Sequence, residues 1–158
     1  MSVDGTAFLR AAEHASNTWD AEACASIYAR DARLEAFTDG THAVHVGIAA
    51  VADAWRVYIR VMRSMGLQLE KRLVAQTEGT IVSDWTGVLA NGRPACGIER
   101  WDFDARGDVV DHASWTSIAL LPLKHPATRL RLLVTQPLVA ARFLRATISN
   151  RLASRSLP

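Results

Sequence analysis

A carboxyl group within a run of aromatic residues is the feature of this sequence best suited to chemistry. Residues 97–115 read GIERWDFDARGDVVDHASW, two runs rich in aromatic and β-branched residues that flank the turn signal DARG, and this pattern predicts a β-hairpin. Because side chains alternate along a strand, Glu99, Trp101 and Phe103 share one face of the first run. Large aromatic rings on the same face as a carboxyl group predict an apolar concavity in which Glu99 serves a chemical purpose.

Two further side chains are candidates for proton transfer. On the second run of the hairpin His112 and Ser114 share a face, and an imidazole with an ordinary pKa of about 6.5 accepts and returns a proton around neutral pH. Asp84 lies on an earlier predicted strand, where Ser83 and Trp85 occupy the opposite face. The direction of Asp84 therefore depends on the pairing register of that strand.

The sequence carries no motif for a cofactor, a metal ion or a covalent intermediate. It contains no GxGxxG or Walker sequence for a nucleotide and no SxxK, GxSxG or Cys–His constellation for covalent catalysis. His42 and His45 have no third ligand at metal spacing, and Cys24 and Cys96 are not spaced as a metal site. We therefore expect no cofactor, no metal site, and two buried or unreactive thiols in preference to a disulfide.

Hydrophobic periodicity predicts three helices followed by four strands. Apolar residues at helical spacing indicate helices over residues 6–16, 21–28 and 48–63, and the second of these has Tyr28 on its apolar face. A period of two then indicates strands over residues 67–76, 80–89, 95–103 and 109–119, after a shorter extended run at 31–37. Helices followed by an antiparallel meander predict an α+β domain with its helices on one face of a sheet.

The order of these elements and several short motifs resemble a known superfamily. Two short helices, YARDARLEAF at residues 28–37, Gly47 before a third helix, and the hairpin GIERWDFDARGDVVDH resemble the nuclear transport factor 2-like superfamily. Within it the chain looks most like SnoaL-like polyketide cyclases, ketosteroid isomerases and limonene epoxide hydrolases. The resemblance covers about residues 6–119 and implies a cone, in which a curved mixed or antiparallel sheet wraps around a long helix. It also implies a deep apolar pocket and a homodimer.

Residue-by-residue comparison with the ketosteroid isomerases leaves one group of their site in place. These enzymes pair a general-base Asp with an oxyanion hole formed by a Tyr and a protonated Asp. The position of the base is occupied by Ala36, and the Tyr falls near Ala12, so neither residue can do that chemistry. The position of the protonated Asp falls on Glu99, which the resemblance therefore implies is a proton donor to a developing oxyanion.

The other two relatives point to the remaining candidates. Epoxide hydrolases hold and activate water with an Arg and two Asp residues; the first Asp matches Asp84, the Arg is replaced by Val82, and the second Asp falls at or near Ser114. SnoaL-like cyclases place an acid or base on the last strand, close to His112 and Ser114. A histidine at that position is chemically sufficient for the role.

These observations together predict a cofactor-independent enzyme, an isomerase or cyclase, that acts on a small apolar substrate of polycyclic, terpenoid or polyketide type. The predicted catalytic groups are His112 as base, Glu99 as acid or oxyanion donor, and Asp84 as orienting group or second acid. The residues predicted to line the substrate pocket are Tyr28, Phe37, Trp55, Tyr58, Trp101, Phe103 and Ser114. Two alternatives stay open: an epoxide hydrolase that uses Asp84, and a non-catalytic protein that binds a hydrophobic ligand.

The C-terminal part of the chain differs in composition from the rest. We predict an α+β domain over residues 1–121 and a basic helical extension over 122–158, interrupted at Pro137. No acidic residue follows Asp111, and such charge asymmetry can indicate contact with nucleic acid or a membrane surface. We favour a tail helix whose arginines face solvent or the acidic body of the same protein; membrane contact through the basic tail stays open, and we expect no nucleic-acid partner. A role of the tail in protein interaction stays open. No apolar run approaches the roughly 18 residues that span a bilayer, and residues 1–6 lack a secretory pattern, so we expect a cytoplasmic protein.

Overall fold

The computed structural model describes residues 3–118 and, in the C-terminal segment, residues 130, 134, 137, 138, 141, 142 and 145. The chain divides into two compact units, Met1–Leu120 and Leu121–Pro158. The seven described residues of the second unit are helical, and the remainder of the predicted tail helix lies outside the described residues. Within the described residues, no helix is long and apolar enough to cross a bilayer.

The first unit contains three helices and a six-stranded sheet. The elements in chain order are α1 (Gly5–Asn17), α2 (Ala21–Ser26), β1 (Tyr28–Thr38), β2 (Thr41–Val46), α3 (Ile48–Met65), β3 (Gln68–Gln76), β4 (Thr80–Val88), β5 (Pro94–Phe103) and β6 (Val109–Ser117). The strand order is β2-β1-β6-β5-β4-β3, with β1 and β6 parallel and every other pair antiparallel. The predicted α+β class, with a curved mixed sheet around a long helix, is confirmed.

The first strand begins earlier than the sequence predicts. The predicted second helix runs to Tyr28, whereas α2 ends at Ser26 and Tyr28 opens β1. The reason is strand pairing: the backbone N–H of Val109 donates to the carbonyl of Ile27, and Tyr28 is the register partner of Val109. Pairing with β6, which comes last in this unit, therefore overrides a local pattern that suits a helix.

Strand β2 was not predicted from the sequence. Residues 41–46 follow a turn at Asp39 and Gly40, both of which have positive φ, and pair antiparallel with β1 at the edge of the sheet. All but one of the six residues of β2 are exposed. An exposed edge strand that contains two histidines lacks the apolar alternation by which strands are recognised.

The core lies between α3 and the concave face of the sheet. Helix α3 contributes Val51, Trp55 and Ile59, which pack with Leu34 and Trp101 of the sheet. A second, smaller cluster at the other end of the sheet is formed by Leu67, Leu69, Trp85, Leu89 and Ala95. The space between α3 and the sheet is therefore closed on its sides by large apolar residues.

The turn after α3 requires a glycine for two reasons. Gly66 caps the helix in the left-handed conformation, with φ of 61°. A Cβ atom at this position would also lie 2.8 Å from the Cβ of Ala90. This turn leads α3 directly into β3, the strand that carries a buried lysine of the candidate site.

Candidate active site

A cavity of about 320 Å³ lies between α3 and the concave face of the sheet. We call this cavity the pocket. Most of its wall is apolar. The residues of its wall with a polar or aromatic side chain are Ser16, Thr38, Thr41, Trp55, Tyr58, Lys71, Trp85, Glu99, His112, Ser114 and Thr116. Among these, Lys71, Glu99 and His112 are ionisable and almost fully buried, with side chains only 3%, 6% and 1% exposed. The pocket thus has an apolar wall and a deeply buried polar floor.

The floor is built around an ion pair between Lys71 and Glu99. Lys71 Nζ pairs with Glu99 Oε2, and Ser83 Oγ donates to the same oxygen at 3.3 Å. Trp101 Nε1 in turn donates to Ser83 Oγ at 3.3 Å, so the carboxylate lies at the end of a chain of donors. The Lys71 ammonium is also 5.6 Å from the centre of the Trp101 ring, within cation–π range. The contacts at Oε2 therefore hold the Glu99 carboxylate in one orientation.

Strand pairing explains how these residues meet. Ser83 and Glu99 are register partners on β4 and β5, and Trp101 and His112 are register partners on β5 and β6. Since partners on adjacent strands point to the same face, all four side chains enter the concave side of the sheet. The predicted inward direction of Glu99 and Trp101 agrees with this arrangement.

His112 is enclosed by aromatic rings and a phenol. Its imidazole stacks on Trp101, with ring centres 3.5 Å apart and planes at 14°. The hydroxyl of Tyr28 lies 2.6 Å from His112 Nδ1, and Trp55 Nε1 donates to the Tyr28 oxygen at 3.1 Å. Burial lowers the pKa of His112 well below 6.5, and the positive charges of Lys71 and Arg100 lower it further. His112 is therefore a neutral imidazole at neutral pH.

The second ring nitrogen of His112 lies beside the carboxylate. Nε2 is 3.9 Å from Glu99 Oε1, a separation too long for a hydrogen bond. Among the described residues Nε2 has no hydrogen-bond partner, although it is buried. Buried polar atoms are rarely left without a partner, because the unmade hydrogen bond costs about 1–3 kcal/mol. A ligand atom at the floor of the pocket can contact both Nε2 and Oε1.

Lys71 is a candidate site residue that the sequence pattern did not lead us to predict. It lies on β3 between Leu69 and Leu73 and points inward with Leu69. The available signal was the alternation of β3, which places a lysine on the same face as two leucines. A lysine with a buried side chain is rare unless it is paired, so its position indicates a role in the pocket.

Asp84 lies outside the pocket, which corrects the prediction that it takes part in catalysis. Its neighbours Ser83 and Trp85 point inward, and Asp84 points to the outer face of the sheet. There Arg72 Nε donates to its Oδ1 at 3.0 Å, and the guanidinium also binds Oδ2. These hydrogen bonds to Arg72 lower the pKa of Asp84. The arrangement required for an epoxide hydrolase based on Asp84 is therefore not present.

Three of the predicted pocket residues, Trp55, Tyr58 and Ser114, line the cavity, but Phe37 and Phe103 do not. Phe37 is on the outer face, where it stacks on Trp115 at 5.6 Å, because the inward position on β1 belongs to Ala36. Phe103 packs on Phe8 of α1, with ring centres 5.0 Å apart. Both predictions are corrected.

Tyr28 and Trp101 contact residues of the polar floor but do not line the pocket. Tyr28 contacts His112 through its hydroxyl, and Trp101 contacts the face of the same imidazole. Trp101 also lines a second cavity of about 220 Å³ beneath α1 and α2, which shares Trp55 and Lys71 with the pocket. The predicted ligand contacts of Tyr28 and Trp101 are therefore replaced by contacts with the polar floor.

The remaining candidates for chemistry have other partners. His42 binds Glu35 at 2.8 Å, and His45 binds the hydroxyl of Tyr58 at 3.2 Å. In the described part of the chain, no three His, Cys, Asp or Glu side chains are grouped as a metal site. Burial raises the pKa of Cys24 to about 11, so its thiol stays protonated and is a poor nucleophile at neutral pH.

Comparisons with known proteins identify the fold. No protein-family model matches the sequence, and no curated protein matches it either. An NTF2-like protein of unknown function from Mesorhizobium loti superimposes with a TM-score of 0.58 and 15% identity, over 71% of this chain and 89% of that chain. SalBIII, an epoxide hydrolase/cyclase-like enzyme with a role in pyran ring formation in the polyether salinomycin, gives 0.55 and 12%, over 72% and 90%. RV0760c from Mycobacterium tuberculosis, in complex with estradiol-17β-hemisuccinate, gives 0.52 and 13%, over 70% and 91%. At these identities the likeness shows the fold alone.

Proposed function

We propose, from the NTF2-like fold of this chain and the polar floor of its pocket, that the protein is a cofactor-independent enzyme that moves a proton within a small apolar ligand. The reaction would be an isomerisation or a cyclisation. The observation that carries the proposal is the buried pair of Lys71 and Glu99 beside His112 Nε2, which has no hydrogen-bond partner among the described residues. These three groups occupy the floor of a cavity whose wall is mostly apolar.

The energetics of the floor support a functional role. A buried ion pair is often no more stable than apolar residues of the same volume, because both charges lose their hydration. Lys71 and Glu99 therefore contribute little stability that leucine or methionine would not also supply. In a water-poor cavity, however, fixed charges and donors act strongly on charge that develops during a reaction. Groups that are costly to bury and useful in catalysis are typical of active sites.

The geometry suggests a separate role in the reaction for each of the three groups. Glu99 Oε1 is the oxygen that Lys71 does not hold, and it would take a proton from a carbon of the ligand and return it to another carbon. His112 and the Lys71 ammonium would stabilise negative charge on a ligand oxygen while the proton is on Glu99. The ligand is rearranged with no net gain or loss of protons or electrons. This assignment reverses the roles that the sequence predicted for His112 and Glu99.

The size and wall of the pocket support an apolar ligand. A volume of about 320 Å³ is at the lower end of the range of typical small-molecule sites, which suits a compact ligand. Two proteins of the same fold are described in connection with cyclic organic molecules. One was solved with estradiol-17β-hemisuccinate, and the other takes part in pyran ring formation in a polyether.

Proton exchange into a ligand tests the proposal without knowledge of the natural substrate. The protein is incubated in D₂O with a panel of apolar cyclic ketones, and deuterium in the recovered ketone is measured by mass spectrometry. We expect Glu99→Gln to lower the exchange rate at least about 100-fold, as loss of a general base does. Asp84→Asn is the matched control, since Asp84 is an acid of the adjacent strand that faces outward, and it should retain the wild-type rate.

One further variant separates lost chemistry from lost folding. Glu99→Gln leaves Lys71 without its partner, so the double variant Lys71→Met/Glu99→Gln removes both charges together. A folded double variant that exchanges as fast as wild type would refute the proposed role of Glu99. No exchange into any ketone by the wild-type protein would count against proton transfer on this ligand class.

A second function, binding of an apolar ligand without catalysis, is favoured by one observation. Glu99 Oε2 already interacts with Lys71 and Ser83, as expected of a carboxylate whose role is structural. In that case the ketones would bind with no deuterium exchange, and the double variant would bind them as tightly as wild type. The exchange experiment therefore distinguishes the two functions.

A further inference from the structure

We propose that Tyr28 is a positioning residue that holds His112 in the tautomer protonated on Nε2, so that His112 presents a hydrogen-bond donor to the pocket and is not a base. The importance of this tautomer for catalysis rests on the proposed function. The tautomer itself follows from hydrogen bonds that involve no ligand, and it can be measured without one.

The first argument is the direction of the hydrogen bonds. An indole N–H can only donate, so Trp55 Nε1 donates to the Tyr28 oxygen at 3.1 Å. The single hydrogen of the Tyr28 hydroxyl is then donated to His112 Nδ1, which lies 2.6 Å from the Tyr28 oxygen. Nδ1 must then be unprotonated, and the ring proton of neutral His112 is on Nε2. The opposite tautomer would leave the hydroxyl hydrogen of a buried tyrosine unpaired, at a cost of about 1–3 kcal/mol.

The second argument is independent and comes from the other side of the ring. Glu99 Oε1 lies 3.9 Å from Nε2. A carboxylate oxygen attracts an N–H group and repels a nitrogen lone pair, and this difference is large where both groups are buried. The carboxylate therefore favours the proton on Nε2, in agreement with the hydroxyl at Nδ1.

Burial keeps both partners in the required protonation state. It raises the pKa of Tyr28 well above 10, so the hydroxyl keeps the hydrogen that it donates. It lowers the pKa of His112 well below 6.5, so the ring stays neutral. Neither group changes its charge near neutral pH, and the tautomer is stable across that range.

This arrangement is the opposite of the one in a Ser-His-Asp triad. There a carboxylate accepts the Nδ1–H of the histidine, which leaves Nε2 free to act as a base. Here the Tyr28 hydroxyl donates to the lone pair of His112 Nδ1, so the ring proton of His112 is on Nε2. The floor of the pocket then offers donors at His112 and Lys71 and an acceptor at Glu99. It suits a ligand whose reacting group includes an acceptor oxygen, such as a carbonyl or an ether.

Nitrogen NMR of the ligand-free, full-length chain tests the tautomer directly. In protein labelled with ¹⁵N-histidine, long-range ¹H–¹⁵N correlation distinguishes a protonated ring nitrogen from an unprotonated one. The signals of His112 are assigned by their absence from the His112→Gln spectrum. We expect an unprotonated Nδ1 and a protonated Nε2 in the wild type. A protonated Nδ1 in the wild type would overturn the inference, whatever the variants do.

The two tyrosines of the chain provide a matched pair of variants. Tyr28 binds His112 through its hydroxyl, and Tyr58 binds His45 in the same way. Tyr28→Phe should shift the Nδ1 signal of His112 and introduce a population protonated on Nδ1, while Tyr58→Phe should alter the signals of His45 alone. A His112 spectrum that Tyr28→Phe leaves unchanged would show that Tyr28 does not hold the tautomer.

The outcome is independent of the proposed function. If the ketone exchange fails but the NMR result is as expected, the tautomer stands and the proton-transfer proposal falls. If His112 is protonated on Nδ1 while Glu99→Gln abolishes exchange, the enzyme proposal stands and the role of Tyr28 falls. Should Tyr28→Phe not fold, the wild-type spectrum alone decides the tautomer.

Discussion

The hydroxyl of Tyr28 lies 2.6 Å from His112 Nδ1, although the two residues are 84 positions apart in the chain. The contact exists because β1 and β6 are parallel neighbours in the sheet, with Tyr28 paired to Val109 and Leu34 paired to His112. The first residue of the first strand thus contacts a candidate catalytic residue on the last strand of the α+β unit.

The buried ion pair predicts a large difference between two neighbouring lysine and arginine variants. Lys71→Met should lower the free energy of unfolding by about 3–5 kcal/mol, because it leaves Glu99 buried without its partner. Arg72→Met is the control on the same strand. It breaks the pair with Asp84 at the surface, where Arg72 is 78% exposed, and should cost less than about 1 kcal/mol. Urea unfolding measures both values, and equal losses would contradict the buried pair.

Removal of both charges should restore most of that stability. Lys71→Met/Glu99→Gln leaves no unpaired charge in the core, so its free energy of unfolding should lie well above that of Lys71→Met alone. A double variant less stable than Lys71→Met would show that Lys71 and Glu99 do not form a unit.

His112 predicts a dependence of stability on pH with a definite sign. Burial, aided by Lys71 and Arg100, holds its folded pKa well below the value of 6.5 expected in the unfolded chain. As the pH falls through 6.5, the unfolded chain takes up a proton that the folded chain does not, so stability decreases. The slope from this one group approaches about 1.4 kcal/mol per pH unit and ends only at the folded pKa.

A comparison with His112→Gln isolates that contribution. Tyr28 and Glu99 face the His112 ring, so the quantity to compare is the difference between the two stability profiles. The wild type should lose more stability than the variant between about pH 7 and pH 5. Parallel profiles would mean that His112 titrates as it does in the unfolded chain.

The donor at Nε2 predicts a preference among ligands of equal shape. A ketone such as 2-acetylnaphthalene offers an acceptor oxygen, in place of which the hydrocarbon 2-isopropenylnaphthalene carries a methylene group. One hydrogen bond of net strength about 0.5–1.5 kcal/mol should make the ketone bind about 2- to 13-fold more tightly. Quenching of the fluorescence of Trp55 and Trp85, which line the pocket, reports binding. His112→Phe should remove the preference, and its persistence in that variant would assign the donor to another group.

The pocket wall predicts a sensitive glycine. A Cβ atom at Gly97 would lie 2.6 Å from Trp85 Cε2 and 2.8 Å from the carbonyl oxygen of Trp115. Gly97→Ala should therefore displace the Trp85 ring and cost about 1–3 kcal/mol of unfolding free energy. Gly79→Ala is the control, because its Cβ would meet only an atom at an ordinary 3.9 Å. Thermal unfolding compares the two, and equal stabilities would contradict the close packing of Trp85 over Gly97.

Other expectations from the sequence stay predictions. The homodimer implied by the resemblance, a cytoplasmic location and the absence of nucleic-acid partners concern surfaces and surroundings that a single chain does not test. The domain boundary near residue 121 and the role of the basic tail also stay predictions.

The features that depend on local periodicity can be predicted from the amino-acid sequence alone. The α+β class, the helices α1 and α3, the strands β3 to β6 and the shared inward face of Glu99 and Trp101 all follow from side-chain spacing within one segment. Alternation along a strand is a property of its own backbone, so it can be recognised without the partner strand.

Which groups meet at the floor of the pocket depends on contacts between distant parts of the chain. The outward direction of Asp84, the inward direction of Lys71 and the transfer of Tyr28 from a predicted helix to β1 all depend on how distant strands pair. Register and parallel pairing arise from contacts between residues far apart in the chain, so they cannot be predicted from side-chain spacing within one segment. For that reason Glu99 and His112 were recognised from the sequence, whereas the contacts that Lys71 and Tyr28 make with them were not.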